Sequence, residues 1–431
     1  MNASTDHHRA SADAAGSPSR TLCVAAGVFF LAALAYFAWR GPWRAVQRTV
    51  DYPTFYAAAR TWLAGGNPYD VDALRATYAA AADRDVDVLW YLNPPGTLPL
   101  LAAFGAMRFA ASNLAWLAVS LALIAVIVRE TGRLCGLRPR QPRFWLLAGF
   151  IVALAPFHTS ISQGQLSIAV TACLLLALRC EMHRRDWLTG LLLAVAASLK
   201  PQMVFAFGLY YLLVGRWRVC VAGVVALVAL TLGGIVPMVA GGVPWLDAWR
   251  EGYAAANTAM NDPAATELGR YIVLSLPMLL HTWLDSAWLV HGITVAFLVF
   301  ALAAAVWLGA VTRRVSAPWL YGLLALASLL GAYHRIYDAT VLVLPIALAV
   351  GLWRRGRPRW AIAGLVPIAP MVVSGAAVLV VATRRQWIPP AVAESMLWRG
   401  FALPHVVWLV AILFVWTVAV GLKRHAEPPA P

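Results

Sequence analysis

Asp51 is followed by Tyr52-Pro53-Thr54-Phe55-Tyr56, and Arg60 stands four residues after Tyr56, on the same face of a helix starting there. Further polar groups interrupt apolar chain at His158-Thr159-Ser160 with Ser162-Gln163-Gly164-Gln165, at Lys200-Pro201-Gln202, and at Tyr333-His334-Arg335-Ile336-Tyr337-Asp338. Ionisable groups in or beside apolar spans are expensive and tend to mark functional sites. A carboxylate, a lysine, an arginine, a histidine and two carboxamides on one face of a membrane suit the transfer of a group away from a phosphate. The carboxylate takes the proton of an incoming hydroxyl, and the cations hold the phosphate as charge builds on its departing oxygen. A sugar carried on a polyprenyl phosphate fits this pattern. Its lipid tail keeps the reaction where membrane meets water, and its transition state has oxocarbenium character that a nearby anion favours.

Asp51 is the expected general base. Lys200, His334 and Arg335 are expected on the donor phosphate, Arg335 with two-point geometry. Tyr56, Arg60, Asn93, Gln163, Gln165, Tyr337 and Asp338 are expected to position sugar or acceptor, or to brace the cations. Each group also has a plainer reading. Asp51 could cap the helix beginning near Thr54 or pair with Arg48. Lys200 could extend toward headgroups, Gln163 and Gln165 could frame a turn, and Arg335 could pair locally with Asp338.

The elements that must position these residues are membrane helices. Of 431 residues, 61% are apolar and 12% charged, and the mean hydropathy is +0.71, which excludes an ordinary water-soluble domain. Basic clusters fall at Arg20, Arg129 to Arg143, Arg179 to Arg185, Arg216 and Arg218, Arg313 and Arg314, Arg354 to Arg359, and Lys423 and Arg424. Each interval between them holds apolar chain for two crossings. Placing every basic cluster in the cytoplasm predicts about 12 spans with both termini inside. The expected spans are 21–39, 113–129, 144–157, 165–180, 187–199, 202–214, 219–240, 286–310, 317–332, 339–353, 360–382 and 402–421. The segments beside Lys200 are short enough to be re-entrant.

A single integral membrane domain is expected over 21–421, with polar cytoplasmic tails at 1–20 and 422–431. The outer loops at 40–112 and 241–285 are long. The first holds amphipathic stretches at 54–64 and 70–82, and an apolar piece at 96–109 that lies at the interface or dips in and returns. Nearly all of the net charge of +15 then falls inside, which reads as the orientation code and not as a nucleic-acid partner. The five cysteines lie in spans or on the cytoplasmic side, so no disulfide, metal site or cofactor is expected. The chain has no Walker loop, dinucleotide fingerprint, His-Glu-x-x-His or Gly-x-Ser-x-Gly. A secondary transporter or flippase is the competing class. Against it, the two halves do not match in sequence, and the polar residues gather toward the outer ends of the spans.

Asp51 through Ala59, Gly65-Gly66-Asn67-Pro68-Tyr69-Asp70, Asn93-Pro94-Pro95, Gly164-Gln165, Leu199-Lys200-Pro201 and His334 through Asp338 stand together in an order that resembles the glycosyltransferase 87 family (domain of unknown function 2029). The resemblance runs from Asp51 to about Pro345. It implies an all-α, multi-span GT-C fold, an aspartate in the first outer loop as base, a polyprenyl-phosphate sugar donor, and inversion at the anomeric carbon. It also implies a lipid or glycan acceptor, and a place in a bacterial inner membrane with the active site facing the extracytoplasmic side. Mannose is the donor sugar of the best-known members. The sequence departs from the family in having Asn93 where an aromatic residue is common, and Leu330-Gly331-Ala332-Tyr333 where a Ser-Pro pair is common.

Overall fold

The computed structural model describes residues 19–82, 88–258, 269–312 and 315–426. The tail up to residue 18, the pair Arg313-Arg314 and the end of the C-terminal tail lie outside the described residues. Among the described residues the chain is helical, with one isolated antiparallel bridge between Val273 and Arg335. The expected all-α polytopic class is what folds.

The helices along the expected spans differ in length. Six helical stretches are long and apolar enough to cross a bilayer: Arg20–Gln47, Phe109–Leu134, Trp217–Ala240, Ala287–Val311, Ile336–Arg354 and His405–Lys423. A seventh is the pair Pro142–Ala153 and Ala155–Gln163, which bends by 53° where Pro156 withdraws a backbone donor. The other predicted spans are shorter helices, among them Asp186–Leu199, Ala317–Gly331 and Gly375–Arg384. The expected span 360–382 is divided into Pro358–Leu365, a 3-10 turn at Ala369–Val372 and Gly375–Arg384, with Pro367 and Pro370 breaking the ladder between them. Some short helices lie inside the bundle, where neighbours rather than lipid cover them. Ala317–Gly331 is buried from Trp319 to Leu330, and Ser167–Met182 is buried along most of its length.

Close backbone approaches set the geometry around the polar residues. Asp186–Leu199 runs along Trp217–Ala240, and Gly190 lies so near the Val219 carbonyl that a Cβ there would collide with it. Gly234 does the same against the Pro95 carbonyl, and the Gly234 carbonyl accepts from Trp62 Nε1 at 3.0 Å. The first long loop is thereby held to the bundle. It folds into helices Tyr52–Leu63, Val71–Ala81 and Thr97–Gly105, in line with the amphipathic and apolar pieces expected there. In the second, Leu274 N–H donates to the His334 carbonyl at 2.7 Å, so this loop also reaches the polar end.

Candidate active site

Helix Ala155–Gln163 ends at Gly164, whose φ of +71° is left-handed and suits glycine. A side chain at Gly164 would also strike Tyr52 Cβ, so the turn sits directly on the residue after Asp51. The contact aligns two bonds. The Asp51 N–H donates to the Gln163 carbonyl at 3.0 Å, and Gln165 Nε2 donates to Asp51 Oδ2 at 2.5 Å. Asp51 begins helix Tyr52–Leu63 but makes no side-chain capping bond and no ion pair with Arg48, so neither plainer reading holds. Its second oxygen has no hydrogen-bond partner among the described residues. Burial pushes the Asp51 carboxyl above the ordinary carboxylate value; the Gln165 bond and the positive fields of Lys200 and Arg335 oppose that shift, while Asp338 adds to it.

Asp338 is satisfied on both oxygens. Oδ1 accepts from Lys200 Nζ at 2.6 Å and from Ser167 Oγ at 2.6 Å. Oδ2 faces His334 Nδ1 at 3.2 Å and accepts from the Arg335 backbone N–H at 3.3 Å. Lys200 also donates to Ser167 Oγ at 3.0 Å and lies 4.5 Å from the centre of the Tyr337 ring. Both it and Asp338 are buried. His334 is 0% exposed, its Nε2 facing the Ser328 carbonyl at 3.1 Å, so it is enclosed by protein and orients Asp338. Both His334 ring nitrogens thus face groups of the protein, the Asp338 carboxylate and the Ser328 carbonyl. Arg335 is different. Its Nε donates to Tyr333 Oη at 2.7 Å, and its two terminal nitrogens have no partner among the described residues. The local Arg335–Asp338 side-chain pair does not form; Lys200 and Ser167 take one carboxylate oxygen, and His334 and the Arg335 backbone N–H the other.

Other expected residues are placed elsewhere. Tyr56 is buried, and its hydroxyl donates to the Met107 carbonyl at 3.1 Å. Arg60 Nη1 donates to the Gly105 and Met107 carbonyls at 3.3 and 3.2 Å. Together they clamp helix Tyr52–Leu63 to the end of Thr97–Gly105, nine residues along from Asp51 in the case of Arg60. Asn93 Nδ2 donates to the Leu199 carbonyl at 2.8 Å and so holds the residue before Lys200. Gln163 takes part through its backbone. Ser167, which sequence reasoning passed over, bridges Lys200 and Asp338. Its one visible signal is a hydroxyl two residues after Gln165, at the start of helix Ser167–Met182. No group of three or more His, Cys, Asp or Glu side chains that could hold a metal ion occurs among the described residues.

This polar end of a helical membrane bundle is the setting of a GT-C-type membrane glycosyltransferase. The model of glycosyltransferase family 87 matches residues 91–332, and the chain belongs to that family. The match is narrower than the motif resemblance. It includes Asn93, Gln163, Gln165, Ser167 and Lys200, starts after Asp51 and stops two residues before His334. The chain is 26% identical over 265 residues to an α-(1→3)-arabinofuranosyltransferase of Corynebacterium glutamicum, covering 59% of this chain and 56% of the relative. The chain thus spans little more than half of that relative's length. The mannosyl expectation gains no support, since the relative's sugar is arabinofuranose. No solved structure matches.

Proposed function

We propose that this protein transfers one glycosyl unit from a polyprenyl-phosphate donor to a hydroxyl of a lipid or glycan acceptor, with inversion, at the extracytoplasmic face of a bacterial inner membrane. The observation that carries this reading is the contrast between two carboxylates at one polar end. Asp338 is filled by Lys200, Ser167, His334 and the Arg335 backbone, whereas Asp51 keeps an oxygen without a partner among the described residues. The free Asp51 oxygen takes the acceptor's proton. The acceptor oxygen then bonds to the anomeric carbon as the bond from that carbon to the phosphate oxygen breaks, and the electron pair leaves on the phosphate.

The unpartnered Arg335 nitrogens hold the departing phosphate by two-point contact, and the third N–H of Lys200 adds a donor. Lys200 keeps its position because Asp338 and Ser167 hold the other two. A base with a raised pKa suits the role, since proton transfer is most effective when the base's pKa lies nearer the working pH. The donor sugar is a pentofuranose of the kind named for the relative, or a hexopyranose. The test is incubation of the purified chain with radiolabelled polyprenyl-phosphate arabinofuranose and polyprenyl-phosphate mannose in parallel. Transfer, or slow hydrolysis, of one donor is expected; uptake into vesicles without covalent change would overturn the reading in favour of transport.

A further inference from the structure

Resting on that reading, we propose that the segment from Trp39 to Arg48 is a holding site for the lipid phosphate monoester that the transfer releases. Arg40 closes helix Arg20–Arg40, Arg44 lies on the short helix Pro42–Gln47, and Arg48 follows it. No acidic residue occurs between Arg20 and Asp51. None of the three arginines pairs with a carboxylate among the described residues. Arg40 and Arg44 both lie against the Trp39 ring, at 5.7 and 5.9 Å from its centre, and Arg40 Nε is buried with no hydrogen-bond partner. Trp39 and Trp43 are 58% and 61% exposed. Exposed indoles interleaved with guanidiniums at the end of a long apolar helix are what headgroup depth selects.

The ridge lies at the same end of the bundle as Asp51. Gly41 packs so closely on the His158 backbone that a Cβ would meet the His158 carbonyl at 3.2 Å, and Asn113 Nδ2 holds the Ala45 carbonyl at 3.2 Å. The helix that begins this contact ends at Gln163, whose carbonyl accepts from Asp51. Arg48 precedes Asp51 by three residues, at most about 11 Å of extended chain. Three cations that pair with no carboxylate among the described residues, at the end opposite the main basic clusters, work against the orientation code, and so call for an anion.

The chemistry supplies one. A donor phosphodiester carries one negative charge; once the bond to the anomeric carbon breaks, the phosphate keeps the electron pair and is a monoester of nearly two charges at neutral pH. Unpaired guanidiniums favour the more charged species, and so draw the product away from Arg335 while its tail stays in the bilayer.

The test uses the full chain in detergent micelles with farnesyl phosphate as probe. Wild type is expected to bind it, the Asp51→Asn variant equally well, and an Arg40→Gln/Arg44→Gln/Arg48→Gln variant more weakly by on the order of tenfold or more. Product inhibition of transfer by farnesyl phosphate should weaken in parallel. The Arg44→Gln/Arg48→Gln pair, both exposed, serves where the triple variant unfolds. Unchanged binding in these variants overturns the proposal. So does equal competition by inorganic phosphate, which would mean the lipid goes unrecognised, or by phosphatidylglycerol vesicles, which would make the ridge a general anchor. Intact, arginine-dependent farnesyl phosphate binding in a wild type that transfers no sugar would strike the transferase reading alone.

Discussion

Helix Ser167–Met182 carries a charged network at each end, and the two differ in how far they are closed. The separation is about 20 Å at 1.5 Å per residue. At its C-terminal end, Arg179 Nη1 meets Glu130 at 3.0 Å, and Arg133 meets the same oxygen at 2.6 Å. Nearby, Arg216 bridges Glu181 at 3.0 Å and Asp186 at 2.7 Å, with Tyr211 donating to Glu181 at 3.1 Å. Every carboxylate there has a guanidinium. At the N-terminal end, Asp338 is as fully engaged, but Asp51 has only a carboxamide on one oxygen, and the Arg335 fork is half empty. Similar residue types make architecture where their bonds close and leave room for chemistry where they do not.

The contrast breaks most sharply at Asp51. Asp51→Asn should lower sugar transfer by roughly 10²–10⁴, the usual worth of a general base, with the thermal unfolding midpoint little changed. At Lys200 the expected failure is in stability. Lys200→Met strands a buried carboxylate and should cost about 3–5 kcal/mol, read by unfolding in detergent, and adding Asp338→Asn should recover part of it. Arg335→Lys keeps the charge but loses the fork, and should reduce transfer on the order of tenfold while unfolding stays near wild type. At the closed end, Arg179→Met should cost about 1 kcal/mol because Glu130 keeps Arg133, and transfer per folded molecule should not move. Equal damage to transfer from Arg179→Met and Arg335→Lys would erase the distinction.

The subtlest effect is a shift with pH. Burial raises the Asp51 pKa in the folded protein, and a base works only when ionised. Transfer should therefore fall on the acid side at a higher pH than an ordinary carboxylate would give. Gln165→Leu removes a bond that favours the ionised form, so the acid limb should move to still higher pH. A limb that stayed in place, or moved down, would detach Asp51 from the rate. For stability the sign is the reverse of an ion-paired carboxylate. Folding favours protonated Asp51, so this residue's contribution is present at low pH and lost as pH rises through the folded pKa.

Much of the site was legible in the sequence because charge in apolar chain is rare. Asp51, Gln165, Lys200, His334, Arg335 and Asp338 stood out for that reason, and the fold gathers them into two groups, Asp51 with Gln165 and Asp338 with Lys200, His334 and the Arg335 backbone. What each touches was not legible. Lys200 and Asp338 are 138 residues apart, and nothing local distinguishes a lysine that will meet a carboxylate from one that will meet a phosphate. Tyr56 and Arg60 share a helix face, as their spacing requires, but that face turns toward Met107. The length of each span was not legible for a related reason. Hydropathy reports how apolar a segment is, and helices such as Ala317–Gly331 are apolar because protein surrounds them, whatever their length across the bilayer.

By itself, then, the sequence determined that the chain is a helical membrane protein with its scarce charges collected at helix ends, since apolar length and basic clusters are local properties that survive any packing. Only the tertiary structure decided which charges are spent on each other. That depends on distances between segments far apart in the chain, and a bond made within the protein removes a group from the chemistry that its residue type would otherwise allow.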